Sequence, residues 1–273
     1  MGGRHIARLL GGTGLAENAA KAVGVGAQHL LVLRQCRVGL VELEQLVGFQ
    51  QSAAANLPTA YAVAAIPVRF ALERRDWPAA ASLSAPAIGF SLERFPWAEA
   101  MISFGRALGD ARTGNIAGAQ TEIAKLQSLE DPLKGKDSYW ANQVEVQRLA
   151  AAGILAHVQG DNTKAVELVR AAADLEATMD KHPVTPSAVL PARELLADLL
   201  LELDQPDAAL KEYKEMLRTD PNRFRSILGE ARAAKQSGDA AGAHDAYQKL
   251  VALSKPTGPE RPELAEAKAY LTN

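Results

Sequence analysis

The residues of this chain with the greatest chemical reach are one cysteine, five histidines, three tryptophans and a glycine-rich run, and their spacing decides what each can do. The run "GGTGLAENAAKAVGVG" at residues 11–26 invites a nucleotide-binding reading. It lacks the Lys-Ser/Thr of a phosphate loop, follows no strand-like segment and misses the dinucleotide spacing, so it reads as a flexible terminus. Cys36 lies inside an apolar-periodic segment and reads as a buried core thiol. A nucleophile would need a base, and only His5 and His29 are close to it in sequence. His157, His182 and His244 form no H-x-x-x-H or E-x-x-H pair that would set two ligands on one helical face, so no metal and no cofactor is expected. His157 reads as a partly exposed structural histidine, with a contact role as the alternative. Trp77, Trp97 and Trp140 each precede or begin a predicted helix; they read as core contacts at hairpin edges, the alternative being solvent-facing anchors for a peptide. No carboxylate pair has a recognisable catalytic partner. The expected chemistry is recognition, not catalysis.

The elements that must position these residues are helical. Of 273 residues, 48% are apolar but only 5% aromatic, so the core must be built from Ala, Leu and Val, which suits closely packed helices. A net charge of -2 argues against a general binder of nucleic acid or of anionic membranes. One cysteine excludes an intramolecular disulfide and a Cys-based zinc site. No uninterrupted apolar stretch near the start resembles a signal peptide, and none approaches the ~20 residues of a membrane span. The expectation is a soluble cytoplasmic protein.

A unit recurs along the chain. "GDNTKAVELVRAAADLE" from Gly160 returns as "GDAAGAHDAYQKLVALS" from Gly238. Turn pairs of this kind fall at Arg75-Asp76, Gly114-Asn115, Gly160-Asp161, Asp204-Gln205 and Gly238-Asp239, spaced 39, 46, 44 and 34 residues apart. Gly supplies the left-handed backbone that closes one helix, and Asp or Asn caps the next. In each unit a small or modest residue is followed twelve positions later by Ala: Val68/Ala80, Ala107/Ala119, Gly153/Ala165, Ala197/Ala209 and Ala231/Ala243. Such pairs are expected where two antiparallel helices cross closely. Four residues after that Ala stand Ser84, Ile123, Val169, Tyr213 and Tyr247, and three further on in the last four units Leu126, Ala172, Met216 and Leu250, which is the buried stripe of an amphipathic helix.

With these positions in hand, the chain resembles the tetratricopeptide repeat (TPR) proteins. In "PARELLADLLLELDQPDAALKEYKEMLRTDPNRF", Leu196, Ala197, Leu200, Ala209, Tyr213 and Pro221 stand at the family's signature positions; Arg193 and Met216 depart from it. The next unit matches through Ile227, Ala231, Gly238, Ala243, Tyr247 and Leu250, with Glu230 at a normally apolar position, and the unit from Val146 through Leu149, Gly153, Gly160, Ala165 and Ala172. The units around Tyr61 and Ala100 are degenerate. "ALERRDWPAAASL" and "KHPVTPSAVLPARELL" resemble the C-terminal part of a group of uncharacterised bacterial TPR proteins. The resemblance implies an all-α fold over residues 53–273, an α-α superhelix (solenoid) of about five hairpins closed by a C-terminal capping helix. In that last helix Leu264 and Leu271 face inward, while Glu263, Glu266 and Lys268 face water. Residues 1–52 form a divergent Gly-rich segment with one predicted helix, "HLLVLRQCRVGLVELEQLVGF".

In TPR folds the first helix of each hairpin lines a concave groove. Carried over position by position, the resemblance places Arg69, Leu72 and Glu73 there, then Met101, Phe104, Leu108 and Arg112, and then Gln147, Ile154, His157 and Val158. The fourth unit adds Glu194, Asp198 and Glu202, and the fifth Arg225, Arg232, Lys235 and Gln236. Glu194, Asp198 and Glu202 follow at i, i+4 and i+8, an acidic stripe; Arg225, Arg232 and Lys235 make a basic one. Either neighbouring repeats pair with each other through these stripes, or they orient a partner. The implied function is a non-enzymatic scaffold that holds a protein or peptide segment in the groove. Two other readings stay open: a small-molecule or enzymatic helical domain, and a self-association module.

Overall fold

The computed structural model describes residues 57–84, 91–180, 188–254 and 261–272. The regular structure among them is helical throughout, with no strand: α1 Leu57–Glu73, α2 Trp77–Ala81, α3 Pro96–Thr113, α4 Ile116–Glu130, α5 Ser138–Val158, α6 Asn162–Ala177, α7 Ala192–Glu202, α8 Pro206–Thr219, α9 Phe224–Ser237, α10 Ala240–Leu253 and α11 Pro262–Thr272. A 3-10 turn at Leu92–Arg94 precedes α3. The expectations for residues 1–52, Cys36 included, and for His182 lie outside the described residues.

The five turn pairs share one backbone geometry. Arg75, Gly114, Gly160, Asp204 and Gly238 all have positive φ, between 53° and 86°. The residue after each donates its N–H five residues back: Asp76 to Ala71, Asn115 to Asp110, Asp161 to Ala156, Gln205 to Leu200 and Asp239 to Ala234, at 2.8–3.0 Å. This bond satisfies a carbonyl that the ending helix leaves open. Asp76, Asn115, Asp161 and Asp239 then cap the following helix by accepting from a backbone N–H three residues on. Gln205 makes no such side-chain bond, and Pro206 opens α8 instead, where its missing N–H costs little.

Each turn joins a helix pair: α1/α2, α3/α4, α5/α6, α7/α8 and α9/α10. The first helices pack on one another in order through α9, every second helix also touches the next first helix, and α11 packs on α10. The ten residues of the twelve-spaced pairs are all buried. At Gly153 an added Cβ would lie 2.5 Å from Val169 Cγ2 and 3.0 Å from the Ala165 carbonyl oxygen. A second class of close approach, between successive pairs, was not anticipated. Gly109 in α3 lies against the α2 backbone, where a Cβ would come within 2.2 Å of the Ala81 nitrogen, and a Cβ added at Gly229 in α9 would come within 2.1 Å of the Tyr213 ring.

The departures from the repeat pattern are accommodated by charge. Arg193 binds Glu212 at 2.6 Å and approaches Asp174 at 3.9 Å, tying α7 to α8 and α6. Burial raises the Glu230 carboxyl, and Lys249 and Lys214 pull it back. In α11, Leu264 and Leu271 pack inward as expected. Glu263 and Glu266 do not simply face water: they bind Arg225 and Arg261, and Arg232 and Tyr247, respectively.

Gly109→Ala tests the helix approach. Propensity alone would favour Ala by about 1 kcal/mol. Because the added Cβ meets backbone, we expect a net destabilisation of about 1–3 kcal/mol in denaturant melts.

Candidate functional site

The acidic candidates run along the length of α7, from Glu194 in its first turn to Glu202 at its C-terminal end, and bind groups at the ends of neighbouring first helices. Glu194 is fully buried in α7. Arg223, just ahead of α9, donates to both its oxygens at 2.6 and 2.9 Å, and Ser226 Oγ donates at 2.5 Å. Burial alone would raise the Glu194 carboxyl; the Arg223 charge and hydrogen bonds outweigh it and hold the group below its ordinary value. Arg223 is pushed up by Glu194 and Glu73 in spite of burial, and it also binds the Glu73 carboxylate. One turn along α7, Asp198 binds Arg75 and accepts from the Tyr213 hydroxyl at 2.6 Å. Glu202 binds Arg112 at 2.7 Å and lies 3.3 Å from His157 Nε2, while His157 Nδ1 is 2.8 Å from Asn162 Oδ1.

The basic stripe is engaged elsewhere. Arg225 donates to the Glu73 carbonyl at 2.8 Å and pairs with Glu263 at 3.3 Å. Arg232 makes a two-pronged contact with Glu266 at 2.9 and 2.5 Å. The Lys235 ammonium sits 5.5 Å from the Tyr270 ring centroid, and Gln236 donates to Asp204 at 2.5 Å. Arg69 donates to Tyr61 at 2.8 Å and to the Ala188 carbonyl at 3.2 Å, so Ala188, just ahead of α7, lies on α1. The contacts of both stripes run to the first helix pair and its turn, to α3 and α5, to Tyr213 of α8, to Arg223 and Ser226 at the start of α9, and to α11.

Apolar members of the inner set are buried as well: Leu72, Met101, Phe104, Leu108 and Ile154 are each at most 4% exposed, whereas Val158 is 38% exposed. The accessible part of the candidate set is a rim at the C-terminal ends of α7 and α9. There the Glu202 and Arg232 side chains are 39% and 43% exposed, and Lys235 and Gln236 are open to solvent. Beside the rim lies an open cleft of about 640 Å³ lined by Lys235, Ala240, His244, Tyr247, Glu266 and Tyr270.

The tryptophans serve packing. Trp97 and Trp140, both buried, stack at 4.1 Å with an interplanar angle of 14°. Trp77 is half-buried under the Arg75 and Arg112 guanidiniums, at 5.5 and 5.6 Å from its ring. Arg75, Arg223 and Arg261 were not among the candidates. Only Arg75 carried a sequence signal: a long charged side chain occupies the turn position that is Gly in three other units.

No protein family, curated protein or solved structure matches the chain. Among the described residues no three His, Cys, Asp or Glu side chains are grouped to hold a metal ion, and no helix is long and apolar enough to cross a membrane.

Glu176 has a different role. Its carboxylate accepts the Ala192 N–H at 2.8 Å, capping α7 where the N-cap residue, Pro191, offers no side-chain acceptor. Its second oxygen is buried without a partner. Burial pushes this carboxyl up to about 7, against the pull of the Ala192 N–H, Arg223 and Arg193. A raised carboxyl favours the folded state fully below the unfolded value of ~4.3, and that contribution is lost as pH rises through about 7. Glu176→Gln mimics the neutral acid. We expect its melting temperature, relative to the parent, to rise between pH 5 and pH 8, by up to ~3 kcal/mol in stability; parallel pH profiles would contradict this.

Proposed function

We propose that the chain is a TPR-like interaction module, an α-α solenoid of five hairpins with a closing helix, that holds a segment of a partner protein. The observation that carries the reading is the fivefold recurrence of one turn geometry and one buried small-residue crossing. Stacked units of this kind bury a continuous core and present a row of equivalent helix ends, which suits recognition of an extended or helical segment. The resemblance of residues 53–273 to TPR proteins supports the same reading.

The exposed charges support a narrower reading of where a partner would sit. The inner charges are committed to internal pairs, so binding falls on the rim of Glu202, Arg232, Lys235 and Gln236 and on the neighbouring Tyr247–Tyr270 cleft. Two aromatic rings 4.8 Å apart, with the Lys235 ammonium beside them, give an apolar floor next to a cation. That arrangement favours a segment carrying an aromatic or aliphatic anchor next to a carboxylate. The cleft volume also lies in the range of small-ligand sites, and this is the specific observation behind the second reading, a small-molecule-binding domain.

A peptide library displayed on phage and panned against the full chain separates the two. We expect enriched acidic peptides whose affinity falls about tenfold or more, ~1.4 kcal/mol, on Lys235→Glu, with the melting temperature unchanged. No enrichment, or binding indifferent to Lys235, would overturn the assignment.

A further inference from the structure

Among the described residues, five of the eight buried polar or charged ones gather at one place: Glu73, Glu194, Arg223, Arg225 and Ser226. The apolar core divides there. One cluster of buried side chains runs through α1–α8 and takes in Ala233 of α9; another, around Phe224, Ile227, Tyr247 and Leu250, belongs to α9–α11. Among the described residues, the hydrogen bonds and ion pairs that join α1 to the segment after residue 222 converge on Glu73, the last residue of α1. Its carboxylate binds Arg223. Its carbonyl accepts from Arg225 at 2.8 Å and from Arg261 at 3.3 Å, across 152 and 188 residues of sequence.

This is an arginine cup around a helix C-terminus. The end of α1 carries the partial negative charge of its open carbonyls, and cations there are stabilising. The cup is held in shape from its own side. Arg261 lies over the Phe224 ring at 4.1 Å, and Glu263 binds both Arg225 and Arg261, at 3.3 and 3.2 Å.

A joint of this composition opens differently from an apolar one. Separating two packed apolar faces exposes area to water at a cost that grows with every Å². Separating charged partners lets water solvate each of them again, and the directional contacts vanish within a small displacement. We propose that Glu73 and its arginine cup form a latch that closes the last helices onto the first, and that its release parts the two ends while leaving both apolar cores folded. The open state uncovers the inner charges of α7 and the cup itself, an acceptor for another acidic helix end. The latch is a property of the chain alone, so its failure and failure of peptide binding at Lys235 are read in separate measurements.

Hydrogen exchange of the full chain, followed by mass spectrometry, tests the latch. Glu73→Gln removes the charge that Arg223 holds; Arg225→Gln with Arg261→Gln removes the donors to the carbonyl. Both variants are expected to speed exchange about tenfold in residues 70–76 and 224–228, with 116–177 unchanged. Uniform acceleration of all helices would overturn the proposal, because the joint would then belong to one cooperative unit. Unchanged exchange in both variants would overturn it equally. Should Glu73→Gln fail to fold, Arg261→Gln alone keeps the Arg223–Glu194 pair and is read at the same segments by the same criterion.

Discussion

Two helix backbones approach only as closely as the side chains between them allow, and in this chain that limit fixes everything downstream. Each hairpin turns through a single left-handed residue, so the paired helices start a fixed distance apart and must cross within about two turns. Ala or Gly at the crossing lets them meet, Gly153 over Val169 being the tightest. Gly109 and Gly229 extend the rule to the contact between successive pairs. The helices then stack so that the turn after α1 meets Asp198 and the C-terminal ends of α3 and α5 meet Glu202. The charged row along α7 is a consequence of that stacking.

The row is also where the structure departs from an open groove. Glu194 has no exposed surface, and removing it from water is unfavourable unless its lone pairs are met. Arg223 and Ser226 meet them with three hydrogen bonds. Replacing such a group by a well-packed apolar residue is often neutral or stabilising, so the ion pairs serve geometry more than stability. They fix how far the first hairpin swings toward α9 and α11. The packing of the helices is therefore set twice, by small residues at their crossings and by charge between them.

The helical plan was legible in the sequence because its causes are local. Gly160-Asp161 and Gly238-Asp239 announce a helix end and the next cap within two residues, and Ala209 twelve positions after Ala197 needs only a short turn to bring the two together. The candidate site was legible in part. Its residues lie on the first helix of each pair, as their spacing predicts, but their partners were hidden. Arg75 reaches Asp198 across 123 residues, and Arg261 reaches Glu73 across 188. Contacts at that separation depend on the summed rotation of four hairpins, which no spacing within one hairpin records. The acidic stripe illustrates the point: Glu194 finds Arg223 and Ser226 in the next helix pair, but Asp198 and Glu202 pair with Arg75 and Arg112, far back in the chain.

Charge that is satisfied internally is poor at recognising anything else, because a partner must first compete with the pair already formed. Asp198, held by Arg75 and Tyr213, and Arg225, held by Glu73 and Glu263, are of this kind. Lys235 differs: its ammonium lies over a ring face instead of against a carboxylate, and cation–ring attraction at an exposed site is worth only about 0.5–1 kcal/mol. A carboxylate brought by a partner displaces little and can keep the aromatic contact beneath it. The fold therefore separates two uses of charge, buried arginines that set the shape of the stack and a lysine at its rim that is cheap to engage.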